Sequence, residues 1–166
     1  MQDLNHPKVR QLTREIATNL HLESSFVDFV FAKTRPSCFD NWVEDVAGGW
    51  TWYVPDEFEI AYPLWCTNAD QTLILVGKAG LEFGKGWHDD ADMEMISKTA
   101  QGLLTHLMNH IVEKDLSDDE LRHASEFCGY RFLDSLLAFR EVPLAAGVSW
   151  ESAFDDLVAD VDAKSR

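Results

Sequence analysis

Apolar residues recur at three- and four-residue spacing in the first and last parts of the chain, and at two-residue or continuous spacing in the middle. The first spacing lines up one stripe along a helix and the second fills one or both faces of a strand, so the chain reads as helices, then sheet, then helices. Val9, Leu12, Ile16 and Leu20 predict an opening helix, with Asn5 and Pro7 as its cap and first turn. A second helix is expected from Ser25 as cap, with Asp28 three residues on, a stripe of Phe26, Phe29 and Val30, and an end at Pro36.

The period then changes. "WTWYV" (50–54), "AYPLWC" (61–66) and "TLILVG" (72–77) are short, aromatic or β-branched, and separated by turn-forming "PDEFE" and "TNADQ", which predicts a meander of strands. "LEF" (81–83) supplies a fourth strand after "GKAG". Consecutive apolar positions place the 72–77 strand centrally with both faces covered, while Pro63 pushes its predecessor to an edge or a bulge.

Helical spacing returns in "DDADMEMISKTAQGLLTHLMNHIVEK" (89–114), whose broad face of Ile96, Ala100, Leu103, Leu104, Leu107, Met108 and Ile111 is expected to lie on the sheet. Ser117 and Glu120 stand in capping-box register before Leu121, Ala124, Phe127, Cys128, Leu136 and Leu137, with Gly129 as a bend. Ser149 caps a last helix carrying Trp150, Phe154, Leu157 and Val161. The expected architecture is α+β: an antiparallel sheet of about four short strands (50–84) flanked by amino-terminal and carboxy-terminal helices. All of it forms one domain over residues 1–166, with a carboxy-terminal helical extension over about 117–162.

Charge narrows the partners. Twenty-nine Asp and Glu against fourteen Lys and Arg leave a formal charge of −15, which disfavours nucleic-acid phosphates and anionic lipid and favours a protein with a basic surface. Residues 86–126 alone hold ten acids against three bases, and this stretch is the expected charged contact face. No apolar run approaches the roughly 18 residues of a membrane span, and "MQDLNHPKVRQ" lacks the plan of a signal peptide, so a cytoplasmic location is expected. Cys38, Cys66 and Cys128 are too few and too scattered for a disulfide frame or a zinc knuckle, and read as reduced thiols.

Candidate chemistry is sparse. His106, His110 and Glu113 project from one side of a helix and could ligate zinc, giving a metal-dependent enzyme as an alternative reading. Leu107 follows His106 where a metalloprotease motif carries its glutamate, however, and the row borders the apolar stripe, where amphipathic side chains are common. Gly77, Gly80, Gly84 and Gly86 cluster before a predicted helix but match neither phosphate-loop spacing, so turns explain them better. No nucleophile elbow or cation-flanked cysteine is present, so neither a catalytic residue nor a cofactor is assigned.

The aromatics are the denser signal. Trp50, Trp52, Tyr53, Tyr62, Trp65 and Trp87 lie in or beside strands whose alternate side chains point to opposite faces. Tryptophan is seldom buried whole and is enriched in binding hot spots. A partner-binding surface is therefore expected from Trp50, Trp52, Tyr53, Asp56, Glu57, Trp65, Trp87, Asp89 and Asp90.

The helical lead, the turn and Trp-rich strand "GGWTWYVP", the strand ending "PLWCTNADQT", and the helix "ISKTAQGLLTHLMNHI" together resemble the SMI1/KNR4 (SUKH) superfamily over about residues 25–113. That resemblance implies an antiparallel sheet flanked by helices and no catalytic centre. It also implies a role either as an immunity protein that neutralises a toxin, often a nuclease, or as a general intracellular interaction or scaffold module. Helices 117–162 lie outside the resemblance.

Overall fold

A computed structural model of the chain describes residues 6–46, 53–67, 69–87 and 92–165. Four strands form one antiparallel sheet in sequential order: β1 (Phe58–Cys66), β2 (Asp70–Gly77), β3 (Gly80–Trp87) and β4 (Met93–Ser97). Around it lie α1 (Arg14–Asn19), α2 (Ser24–Val30), α3 (Ala100–Val112), α4 (Asp118–Cys128), α5 (Leu133–Glu141) and α6 (Trp150–Lys164). The α+β expectation holds, with helices flanking an antiparallel sheet.

Boundaries moved where local chemistry overrode spacing. The first helix begins at Arg14, because the Thr13 side chain accepts from the Ile16 amide, and Asn5 lies outside the described residues. Val9 is not helical. The Arg10 amide donates to the Ala61 carbonyl and the Ala61 amide to the Lys8 carbonyl, so this segment satisfies its backbone groups on the outer edge of β1. The second helix starts one residue before its expected cap, after Glu23, and ends at Val30, well before Pro36.

In the sheet, β2 is central and carries Leu73, Ile74 and Leu75 fully buried, while β1 lies at the edge with a register shift between Pro63 and Trp65. Tyr53 and Val54 belong to no strand, and residues 50–52 lie outside the described residues. The larger correction concerns residues 93–97, expected as helix and found as β4. Met93 and Met95 alternate with Glu94 and Ile96 in a period of two, and the helix waits for Thr99, whose hydroxyl caps the Gly102 amide at 3.0 Å.

The two faces of the sheet differ. One lies under the helices, where Phe26, Phe29, Phe39, Trp65 and Phe83 meet largely edge to face at 5.1–6.3 Å between centroids. Residues of α4, α5 and α6, among them Leu121, Cys128, Leu136, Phe154 and Val158, belong to that same cluster. The carboxy-terminal helices therefore share the core of the sheet. Asp162 ties α6 in, accepting from the Lys98 amide at 2.7 Å and the Thr99 hydroxyl at 2.6 Å.

The opposite face holds a smaller cluster, Val9, Val54, Phe58, Ala61, Leu73 and Leu75, with Met93 packed against it. Gly84 is needed there, since a Cβ would come within 2.8 Å of Leu75 Cδ1 and 3.0 Å of Met93 Sδ. Gly129, expected as a bend, ends α4 with φ 77°, the left-handed turn that glycine adopts most cheaply.

Candidate functional site

Polar side chains gather at one end of the helix-covered face. Cross-strand register aligns Trp65 with Thr72, Thr72 with Lys85 and Lys85 with Glu94, so these four side chains form one row across all four strands. Asp70 stands on the next rung, level with Trp87, at the start of β2. The turn before it is pinned by Thr67, whose hydroxyl accepts from the Asp70 amide at 3.2 Å and whose amide donates to the Asp70 carbonyl at 2.9 Å. Over the row runs α3, where Leu103, His106, Leu107 and His110 share one stripe at helical spacing. Together with Trp42 these elements enclose a cleft of about 50 Å³.

The cleft is charged and largely buried. Lys85 Nζ lies 3.3 Å from Asp70 Oδ2 and 5.3 Å from the centre of the Trp87 ring. The Asp70 side chain is only 8% exposed, and its second oxygen, Oδ1, is buried with no hydrogen-bond partner among the described residues. A buried acceptor left this way costs about 1–3 kcal/mol, so it calls for an explanation. The His110 ring stacks on Trp42 at 4.1 Å and 7°, and His106 meets Phe154 edge-on at 5.0 Å.

Both imidazoles are kept neutral near pH 7. Burial pushes His106 down to about 4, aided by the nearby Lys85 charge and by His110, and opposed by a hydrogen bond with the Ile96 backbone. His110 is lowered by burial first and by Lys85 second, with Glu113 and Asp70 pulling the other way. Carboxylates at Asp70 and Glu94 against the single Lys85 thus leave the cleft one negative charge in excess.

The expected site residues are scattered by comparison. Trp87 is 42% exposed and Tyr53 is likewise half-open, with Asp56 and Glu57 also exposed. Asp56 and Glu57 precede Phe58, which is level with Gly77, whereas Trp87 is level with Asp70; seven residues of strand, roughly 23 Å, separate the two ends. They do not form one patch. Trp65, expected on a contact surface, is 3% exposed, because the bulge after Pro63 turns it into the Phe26–Phe29 cluster. Trp50, Trp52, Asp89 and Asp90 lie outside the described residues.

The 86–126 stretch is also not one face, since its middle is buried α3. That helix divides Asp92 and Glu94 from Asp118, Asp119 and Glu120, which occupy the first turn of α4. His106, His110 and Glu113 do not come together as a trio. His110 Nδ1 lies 3.9 Å from Glu113 Oε2, but the two rings pack on different aromatics, Glu113 also lies 3.5 Å from Arg140, and among the described residues no three His, Cys, Asp or Glu side chains form a metal-holding group.

Asp70, Thr72, Lys85 and Trp42 went unassigned in the sequence reading. One signal was available: Lys85 is two residues from Phe83, so extending that strand to Trp87 puts a charge on the core-facing side. The comparisons add no identity, since the chain matches no family model, no curated protein and no solved structure.

Proposed function

We propose that this chain is a non-enzymatic protein-binding domain that docks on a basic partner surface through Trp87 and the acidic cleft beside it. The observation that carries this reading is an exposed indole at the mouth of a cleft with a net negative charge. Tryptophan is enriched in binding hot spots, and carboxylates beside it favour a cationic group on the partner. Overall acidity supports the same partner, because a −15 chain attracts a basic surface at long range and speeds encounter. A cleft of about 50 Å³ admits one small group and is far below the several hundred Å³ of a metabolite site.

Within this reading the partner is a toxin with a basic substrate groove, such as a nuclease, and the chain is its cytoplasmic immunity protein. The SUKH resemblance belongs to the same proposal, and the sheet flanked by helices is consistent with it. No helix among the described residues is long and apolar enough to cross a membrane. Co-expression with candidate nuclease toxins, beginning with any encoded beside this gene, tests the role. Growth should be rescued by the wild-type chain and lost with Trp87→Ala at equal soluble expression; rescue that is absent, or indifferent to Trp87, overturns it.

A further inference from the structure

We infer that the cleft beneath α3 is a receptor for the guanidinium head of one arginine side chain presented by the partner. This rests on the protein-binding reading and names the group that enters the site. Among the described residues Asp70 Oδ1 is a buried acceptor with no donor, so a ligand that satisfies it brings an N–H or O–H. The charge of the cleft selects a cation. Asp70 and Glu94 outnumber Lys85, and the neutral imidazoles of His106 and His110 add nothing, so one positive charge completes neutrality.

Shape selects guanidinium over ammonium. The lining includes flat rings, the stacked Trp42–His110 pair and Trp65 in the floor row, and a planar, weakly hydrated ion packs well against an outer face of that stack. Acceptors stand on two strands of the cleft, Asp70 and the Thr72 hydroxyl on β2 and Glu94 on β4, matching a donor that fans five N–H groups. Lys85, 23% exposed and resting on the Trp87 ring, holds Asp70 Oδ2 and leaves Oδ1 to the incoming ion, with which its ammonium competes electrostatically.

The test uses the full chain and methylguanidinium chloride, followed through the tryptophan indole ¹⁵N–¹H signals at constant ionic strength. Signals of Trp42 and Trp65, assigned by Trp→Phe replacement, should shift saturably with methylguanidinium. Methylammonium and sodium chloride should move them less. Asp70→Asn should weaken methylguanidinium binding at least about tenfold, and Asp56→Asn, at the far end of the sheet, should leave it unchanged. Lys85→Met, which removes the competing cation, should tighten it several-fold, and keeps the inference testable if Asp70→Asn does not fold.

Unsaturable shifts, equal binding in Asp70→Asn, or weaker binding in Lys85→Met would overturn the assignment and leave a cleft that holds only water. Methylammonium binding as tightly as methylguanidinium would overturn the choice of arginine. No partner is present in this titration, so its failure removes the receptor and leaves the docking proposal to its own experiment.

Discussion

Two neighbouring rungs on the same face of the sheet, under the same helix, have opposite chemistry. Ile74 pairs with Phe83, both fully buried, with Phe26 edge-on to the Phe83 ring at 6.0 Å. Two residues along, Thr72 pairs with Lys85, and α3 answers with His106 and His110 where it elsewhere supplies Leu104 and Met108. Strand alternation decides which face a side chain takes and leaves open what that face is for. The apolar rung holds the molecule together; the polar rung spends some of that stability on an unsatisfied carboxylate and two neutral imidazoles. Protein chains accept local frustration of this kind chiefly at sites that act on something else.

Substitutions can break the contrast from either side. The largest effect is expected from Phe83→Ala, which empties a fully buried ring position and should cost about 3–5 kcal/mol in urea unfolding. A much smaller loss would mean that the apolar rung is not the mechanical centre. Next comes pH. His106 is lowered from 6.5 to about 4 by burial, so the unfolded chain takes up a proton that the folded chain refuses. Its contribution is full above pH 6.5 and is lost as pH falls toward 4, by up to roughly 3 kcal/mol. Thermal unfolding of wild type and His106→Gln between pH 7.5 and 4.5 should show the flatter profile in the variant, and parallel profiles would refute the assignment.

Asp70→Asn should change stability by about 1 kcal/mol or less, because one of its oxygens has no partner to lose and Lys85 can reach solvent. A loss of several kcal/mol would make Asp70 a structural residue and the polar rung merely another way of packing. Trp87→Ala should fall within about 0.5 kcal/mol of wild type, as a half-exposed strand-end residue, so that any loss of partner affinity reads as lost contact.

Legibility in the sequence followed the range of the physics. Short-range signals read well: Ser117 and Glu120 do form a reciprocal capping box, and Ser149 accepts from the Ser152 amide at 3.1 Å. The continuous apolar run of β2 announced a central strand, and Pro63 an edge with a bulge. The 89–99 stretch misled, because acidic residues ahead of an apolar helix imitate a helix start, while the alternation of Met93 to Ile96 spans too few residues to stand out against it.

The cleft was illegible for another reason. Trp42, Asp70, Lys85 and His110 come from four separate parts of the chain, and only sheet register and the placement of α3 bring them together. Nothing in their local spacing announces it. The aromatic residues, in contrast, drew attention for their density, yet among the described residues Trp65 serves the core and Trp42 a cleft wall, and Trp87 faces outward at this end.

Affinity capture from lysate of the source cells, quantified by mass spectrometry on immobilised wild type, Trp87→Ala and Asp56→Asn in parallel, tests the docking proposal most directly. The account predicts one basic protein held equally by wild type and Asp56→Asn and reduced at least about tenfold on Trp87→Ala, with retention falling as salt rises. Retention of that protein undiminished by Trp87→Ala, or no protein held above the bare matrix, would contradict it.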